Sequence, residues 1–128
     1  MNFSETEIIT NKTKGKLPRL PFVSIKNAIL GKDYDISVVC VSKATSKKLN
    51  KEHRQKDYPT NILSFPLSEK SGEIILQLDC VKRDAPDFDM SYTKFTKFLF
   101  IHGCLHLKGY EHSSTMEKEE QKFMKKFS

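Results

Sequence analysis

The chain has 128 residues, of which 38% are hydrophobic and 30% are charged, and its formal net charge is +6. This length suits a single domain over residues 1–128, and the composition is typical of a folded protein rather than a disordered one. No apolar run approaches the roughly 20 residues of a membrane-spanning helix. The first residues also lack the basic and then apolar layout of a secretory signal. The sequence therefore predicts a cytoplasmic protein with no membrane partner.

The positive charge is concentrated in residues 12–56, where twelve Lys and Arg face three Asp and Glu, a local charge of +9. The remaining residues sum to −3. A basic half is typical of proteins that bind an anionic substrate, most simply nucleic acid. Lysine-rich surfaces are also common in soluble proteins, so the charge alone leaves both interpretations open.

In chain order, the first half of the sequence alternates between helical and extended patterns. Residues 11–15 predict a turn. Residues 17–31 carry apolar side chains at three- and four-residue steps, which predicts an amphipathic helix with Pro18 and Pro21 confined to its entry. Residues 35–41 are rich in Val and Ile and predict a strand.

The second half predicts a pair of strands followed by two helices. Ser42 can cap a helix that ends near His53. Residues 61–66 and 73–78 are short apolar runs on either side of a polar turn, and they predict two paired strands. A helix from about residue 91 to residue 107 follows, and either Ser113 or Ser114 can cap a last one. The order of elements predicts an α+β fold of αβα type, a small mixed sheet covered by helices.

The histidines are the most informative feature, because three of the four lie in residues 102–112, His-Gly-Cys-Leu-His-Leu-Lys-Gly-Tyr-Glu-His. His102 and His106 are four residues apart and share one face of the predicted long helix. Gly109 can end that helix, so that the chain turns back and brings His112 to the same ion. Three nitrogen ligands at the helix end leave one open position, the mark of a catalytic zinc. Nickel or another imidazole-binding divalent metal fits the same ligands.

The cysteines are not expected to take part. Cys40, Cys80 and Cys104 are odd in number and far apart, so they predict no disulfide framework. Cys104 lies between two of the histidines in sequence, but at about 100° per residue it points away from their side of the helix. We expect it to be a small buried thiol.

The spacing HxxxHxxGxxH resembles the zinc motif of metzincin proteases, with one departure. Gly103 stands where that family has the glutamate that serves as general base, so a peptidase is disfavoured. Glu111 is the nearest carboxylate in sequence; it orients a histidine from the second shell, holds a water, or is simply solvated. His53 lacks such neighbours, and we expect it to be a surface histidine.

Residues 102–112 resemble the signature of the YbeY family, HGxLHLxGYDH, at eight positions. Residues 49–66, LNKEHRQKDYPTNILSFP, are similar to a second block of that family, LN..yR.kd.pTDVLSFP, and residues 72–74 resemble its GDI motif more weakly. The chain departs from the family at Asn61, Glu73 and Glu111, each of which stands where the family has Asp. The three histidines are retained.

The resemblance implies a metal-dependent endoribonuclease that is specific for single strands and acts in maturation of small-subunit ribosomal RNA and in ribosome quality control. It implies one zinc ion on His102, His106 and His112, with Glu111 in the second shell. Arg54 matches an arginine of the second block that is associated with activity. Its planar fork of donors suits a phosphate, and Lys51 and Lys56 are candidates for binding the same substrate.

The implied partners are ribosomal RNA and the small ribosomal subunit, with no dinucleotide cofactor. The general base stays open between a metal-activated water, Glu111 acting through a water, and the 2′-hydroxyl of the substrate. Two other functions also stay open. One is a non-enzymatic ribosome assembly factor that zinc stabilises, and the other is a metallohydrolase of a different substrate.

Overall fold

The computed structural model describes residues 5–128, as six helices, a short 3-10 turn and a four-stranded sheet. Residues 1–4, part of the segment in which no secretory signal was predicted, lie outside the described residues. The helices are α1 (Glu5–Ile8), α2 (Phe22–Leu30), α3 (Lys43–Arg54), α4 (Leu78–Asp84), α5 (Tyr92–Lys108) and α6 (Ser114–Lys126), with the 3-10 turn at Ala85–Phe88. Among these helices none is long and apolar enough to cross a bilayer.

The sheet is mixed, and its order is β1-β2-β4-β3. β2 pairs in parallel with both β1 and β4, whereas β3 and β4 form an antiparallel hairpin. The strands are β1 (Ile9–Asn11), β2 (Asp35–Cys40), β3 (Ile62–Ser68) and β4 (Ser71–Leu76). Together with the helices that cover it, this sheet confirms the predicted α+β fold class.

Serine side chains cap three of the helices, two of them as the sequence predicts. The hydroxyl of Ser42 accepts from the backbone N–H of Thr45 at 3.1 Å, which starts α3. Ser91 caps α5 in the same way, and of the two candidates for α6 it is Ser113 that does so. Each cap satisfies a backbone donor that the first helical turn leaves free, and such caps are typically worth about 1 kcal/mol.

The predicted helix over residues 17–31 was too long, since α2 begins only at Phe22. Pro21 is its N-cap residue, with φ −79° and ψ 65°, outside the helical region. A proline has no N–H to donate and disfavours helical geometry at the residue before it, so Pro18 and Pro21 keep residues 17–21 out of the helix. The sequence pattern also missed α1, β1, α4 and the 3-10 turn, all of them seven residues or shorter.

The core lies on both faces of the sheet. On one face, α2 and α5 cover Val38 and Ile74, and the buried rings of Phe22 and Phe100 meet edge to face with centroids 4.9 Å apart. On the other face a smaller cluster includes Leu63, with α3 packed against it. This layering fixes α5 against the sheet from one side and carries α3 on the other.

At Gly103, α5 lies close against the sheet. A Cβ at that position would lie 2.8 Å from Oγ of Ser64, 3.0 Å from Cδ1 of Ile74 and 3.1 Å from Cδ1 of Ile62. These separations are shorter than ordinary van der Waals contact, so only glycine lets the helix lie at this depth. The face of α5 at residue 103 is therefore a packing face.

We expect Gly103→Glu to destabilise the protein by at least about 2 kcal/mol, because it overpacks this contact and buries a carboxyl group among apolar side chains. Thr93→Glu adds the same charge at an exposed position of α5 and should change stability by no more than about 0.5 kcal/mol. Urea unfolding followed by circular dichroism measures both. Equal stability of the two variants would contradict the packing described for Gly103.

Candidate metal centre

The end of α5 positions the first two histidines and turns the chain toward the third. His102 and His106 lie one helical turn apart. Gly109 then adopts a left-handed conformation with φ +112°, and its N–H donates to the carbonyl of His106 at 3.0 Å. A second capping bond runs from the N–H of Tyr110 to the carbonyl of Leu105. This glycine C-cap reverses the chain within a few residues and returns His112 to the helix end.

The three imidazoles converge. Their ring centroids are separated by 4.4 Å for His102 and His106, 5.0 Å for His102 and His112, and 4.9 Å for His106 and His112. One nitrogen from each ring lies within 4.8 Å of the other two. Two nitrogens that bind one ion at about 2.1 Å each lie at most about 4.2 Å apart, so a small movement of the rings brings all three into binding distance of a single ion. These residues could hold a metal ion.

The outer nitrogens of the two helical histidines are bound to oxygen acceptors. Nδ1 of His102 lies 2.6 Å from Oε2 of Glu120, and Nδ1 of His106 lies 3.0 Å from the carbonyl oxygen of Tyr110. A carbonyl and a carboxylate accept hydrogen bonds, so we assign the ring protons to Nδ1 in both cases. The Nε2 lone pairs are then left free for a ligand.

These two Nε2 atoms are only 3.0 Å apart. With both ring protons on Nδ1, neither Nε2 can donate to the other, and two lone pairs at this distance repel each other. A cation shared by the two nitrogens converts that repulsion into attraction. The donor set and its tautomers therefore fit an imidazole-binding divalent metal, and the carboxylate–histidine pair is an arrangement typical of such sites.

The protonation of His106 supports the same interpretation. Burial of the ring lowers its pKa from the ordinary 6.5, and the nearby His102 and His112 lower it further. A lowered pKa keeps the imidazole neutral at physiological pH. The neutral form is the one that binds a metal, so protons compete less for this nitrogen than for a free histidine.

Cys104 lies outside the site, as expected. Its side chain is completely buried in the main core, and burial raises the pKa of its thiol far above the ordinary value. A thiol in such surroundings stays protonated and does not act as a metal ligand. The centre is therefore built from histidine nitrogens.

A cavity of about 510 Å³ joins the histidines to the end of α3 and to strand β3. Its walls include Arg54, which is exposed. Among the described side chains, those of residues 7–128, no carboxylate lies within ion-pair distance of this guanidinium, so its donors are available to a ligand. His53 is exposed as predicted, but it also lines the cavity, with its ring centroid 4.6 Å from that of Phe65.

Side chains of α3 secure the loop that follows Arg54. The amide of Asn50, a completely buried residue, donates to the carbonyl of Tyr58 at 2.8 Å. The hydroxyl of Ser46 donates to the carbonyl of Thr60 and accepts from the N–H of the same residue. These hydrogen bonds attach the loop between α3 and β3 to α3, and they hold the end of α3 beside the start of β3.

The remaining predicted site residues do not line the cavity. Lys51, Lys56 and Glu111 are exposed, and none of them is among the residues that line it. The carboxylate that contacts a histidine is that of Glu120, which sequence reasoning missed. A signal was present, since Glu120 is buried on α6 between Met116 and Phe123, and a charged residue on the apolar face of an amphipathic helix needs a partner.

The chain matches the family model described as endoribonuclease YbeY over residues 3–128. It is 32% identical to the endoribonuclease YbeY of Aliarcobacter butzleri, over 93% of this chain and 90% of that protein. Identity to the protein of the same name from Bacillus licheniformis is 36% over 71% of this chain. That alignment spans 66% of the relative, just under two thirds of its length.

A solution structure of a protein from Thermotoga maritima is also similar. It superposes with a TM-score of 0.59 at 31% sequence identity, and the match covers 83% of this chain and 78% of that one. The fold, the histidine cluster and these matches agree, and the chain belongs to the YbeY family.

Proposed function

We propose that this protein is a metal-dependent endoribonuclease that cleaves single-stranded RNA and acts in maturation of small-subunit ribosomal RNA, with residues 1–128 as one domain. The observation that carries the proposal is the cavity shared by the three histidines and Arg54. It brings a metal-binding cluster and a guanidinium without an acidic partner among the described residues to one place. Membership of the YbeY family supports RNA as the substrate.

In this proposal His102, His106 and His112 hold one divalent ion, and zinc fits their nitrogen donors. When bound, such an ion supplies a Lewis acid that lowers the pKa of a water or polarises a phosphate oxygen. Glu120 keeps the proton of His102 on Nδ1 and fixes the orientation of that ring. The carbonyl of Tyr110 does the same for His106.

Arg54 supplies the positive charge that phosphodiester cleavage requires from the protein. Its planar guanidinium can donate two parallel hydrogen bonds to phosphate oxygens, and its charge opposes the negative charge that accumulates in the transition state. Because the loop after α3 is held in place, the arginine is presented from a fixed helix end. Lys51 and Lys56 extend the positive surface near it and are proposed to attract the RNA backbone.

In this proposal no protein side chain is assigned as the general base, and a water or a group of the substrate takes that role. Glu111 is exposed and on the described contacts touches none of the histidine rings, so a role through a bridging water is its remaining route. The packed face at Gly103 leaves no room for the carboxylate that metzincin proteases carry there. The 2′-hydroxyl of single-stranded RNA is a nucleophile that the substrate itself provides. From its membership of the family, we also propose that the protein acts on the small ribosomal subunit and in ribosome quality control. The proposed location is the cytoplasm.

Replacing one proposed ligand should remove the metal. We expect the purified protein to bind about one equivalent of zinc and to be stabilised by it, whereas His106→Ala retains little. His53→Ala is the matched control, because it removes a histidine from the same cavity but outside the cluster, and it should bind zinc like the wild type.

Since the pKa of His106 is lowered, zinc should remain bound at pH 7 and be released only on acidification below about 6.5. Metal analysis and thermal unfolding measure these changes.

The hydrogen bond from Glu120 should tune the affinity of the site. We expect Glu120→Ala to weaken zinc binding by about 10–100-fold, because His102 loses the acceptor that orients it. Glu119→Ala removes a neighbouring carboxylate whose partner is the exposed Lys122, and it should leave the affinity unchanged. Competition with a chromogenic chelator gives both affinities. Equal affinities in the two variants would remove Glu120 from the site.

RNA cleavage should depend on Arg54 and on the metal. We expect cleavage of a single-stranded ribosomal RNA fragment to stop on adding a chelator and to resume on adding zinc. Arg54→Glu should lower kcat/KM by at least about 100-fold, the scale of losing one transition-state contact, with zinc still bound. Arg19→Glu makes the same charge reversal at an exposed position away from the cavity and should have a small effect. A normal rate in Arg54→Glu would contradict the proposed role. If the wild type cleaves no RNA and Arg54→Glu only weakens binding to the ribosome, the result would favour an assembly factor.

A further inference from the structure

A second cavity, of about 380 Å³, adjoins the metal centre. It shares Arg54, His102 and His112 with the first cavity, so the two meet at the centre of the site. Its other walls come from the start of β3, from α5 and α6, and from the 3-10 turn that precedes α5. An RNA strand whose phosphate lies between Arg54 and the histidines therefore has this second cavity next to it.

Aromatic rings form one wall of this second cavity. Phe88 is 52% exposed, and its ring is stacked on that of the buried Phe95 with centroids 4.8 Å apart. The ring centroid of Phe98 lies 6.2 Å from that of Phe88 and 6.2 Å from that of His102. The rings thus run from an exposed phenylalanine to a proposed metal ligand. The ring of Phe88 is held from behind and keeps surface available for a flat ligand.

The charges of the cavity select which part of a nucleotide can enter. Glu117 and Glu120 line it, and two carboxylates repel a phosphate. A neutral base is not repelled, and bases stack on aromatic side chains in many proteins that bind single strands. The phosphate then belongs with Arg54 at the junction, and the base belongs in the aromatic cavity.

Two polar side chains of the cavity, Asn61 and Glu117, offer hydrogen-bond acceptors. The amide Nδ2 of Asn61 donates to Oδ2 of Asp84 at 2.9 Å, which fixes the amide and leaves Oδ1 as an acceptor. The carboxylate of Glu117 is exposed and accepts only. An exocyclic amino group supplies two N–H donors for two acceptors, whereas uracil offers only the single N–H of its ring nitrogen N3.

We propose that this cavity is a base-binding subsite, in which Phe88 stacks on one base of single-stranded RNA and Glu117 favours a base with an exocyclic amino group. The inference rests on the proposed function, because it takes RNA as the ligand. The subsite adds Phe88 as a residue that positions the substrate. It also adds a sequence preference, which the metal site by itself lacks. The preference for cytosine over uracil follows from two acceptors, Oδ1 of Asn61 and the carboxylate of Glu117, which meet both hydrogens of an amino group but only the one N–H of uracil.

The test compares binding of short 2′-fluoro oligonucleotides of cytidine and of uridine to the zinc-loaded protein, by fluorescence anisotropy. We expect the wild type to bind the cytidine strand several-fold more tightly. Phe88→Ala should weaken binding of both strands by about tenfold, the scale of one lost base–aromatic stack, and Phe88→Trp should restore it. Leu67→Ala removes another exposed apolar side chain, outside the cavity, and should bind like the wild type.

Glu117→Ala separates the preference from the stacking. It should bring the ratio of the cytidine and uridine affinities close to one, while the dependence on Phe88 remains. Wild-type affinity of Phe88→Ala, or an unchanged ratio in Glu117→Ala, would overturn the subsite. These outcomes are independent of cleavage, since a protein that fails to cleave RNA but shows both binding effects would lose the proposed function and keep the subsite.

Discussion

The close contact between α5 and the sheet at Gly103 is the constraint on which the rest of the site depends. It allows the helix to pack directly on Ile62, Ser64 and Ile74, and so places the end of the helix, with His106, beside strand β3. The cavity then forms between β3, the histidines and the end of α3. The same contact fills the position from which a metzincin glutamate would act. A site built on this helix must therefore take its remaining polar groups from other parts of the chain.

The polar groups of the site come from four segments, α5 and three others, each with a different role. α5 supplies two imidazoles at fixed spacing, and the turn after Gly109 supplies the third. α6 returns across α5 and provides Glu120, whose carboxylate settles which nitrogen of His102 faces the centre. Arg54 arrives from α3, on the other side of the sheet edge. This division explains how a small protein brings the histidine cluster and the guanidinium of Arg54 to one cavity.

Local features of this protein were predictable from its sequence, and long-range ones were not. The spacing of His102 and His106, the stop at Gly109 and the cap at Ser42 each follow from the geometry of one helix turn, whereas the cap of the last helix stayed open between Ser113 and Ser114. Phe88 and Glu120 are as important to the account, but their roles depend on which surfaces meet after folding. Proximity along the chain favoured Glu111, whereas the fold brings Glu120 to the histidine. Short elements such as β1 are defined by their pairing partners rather than by a periodic pattern.

The account holds that one metal ion is bound by three imidazole nitrogens with a coordination position left for water or substrate. Anomalous diffraction from crystals of the zinc-loaded protein, collected on both sides of the zinc edge, tests this most directly. We predict a single strong zinc peak bonded to Nε2 of His102, to Nε2 of His106 and to a ring nitrogen of His112, with no further protein ligand. A peak elsewhere, no peak, or a fourth ligand from the protein closing the site would contradict it.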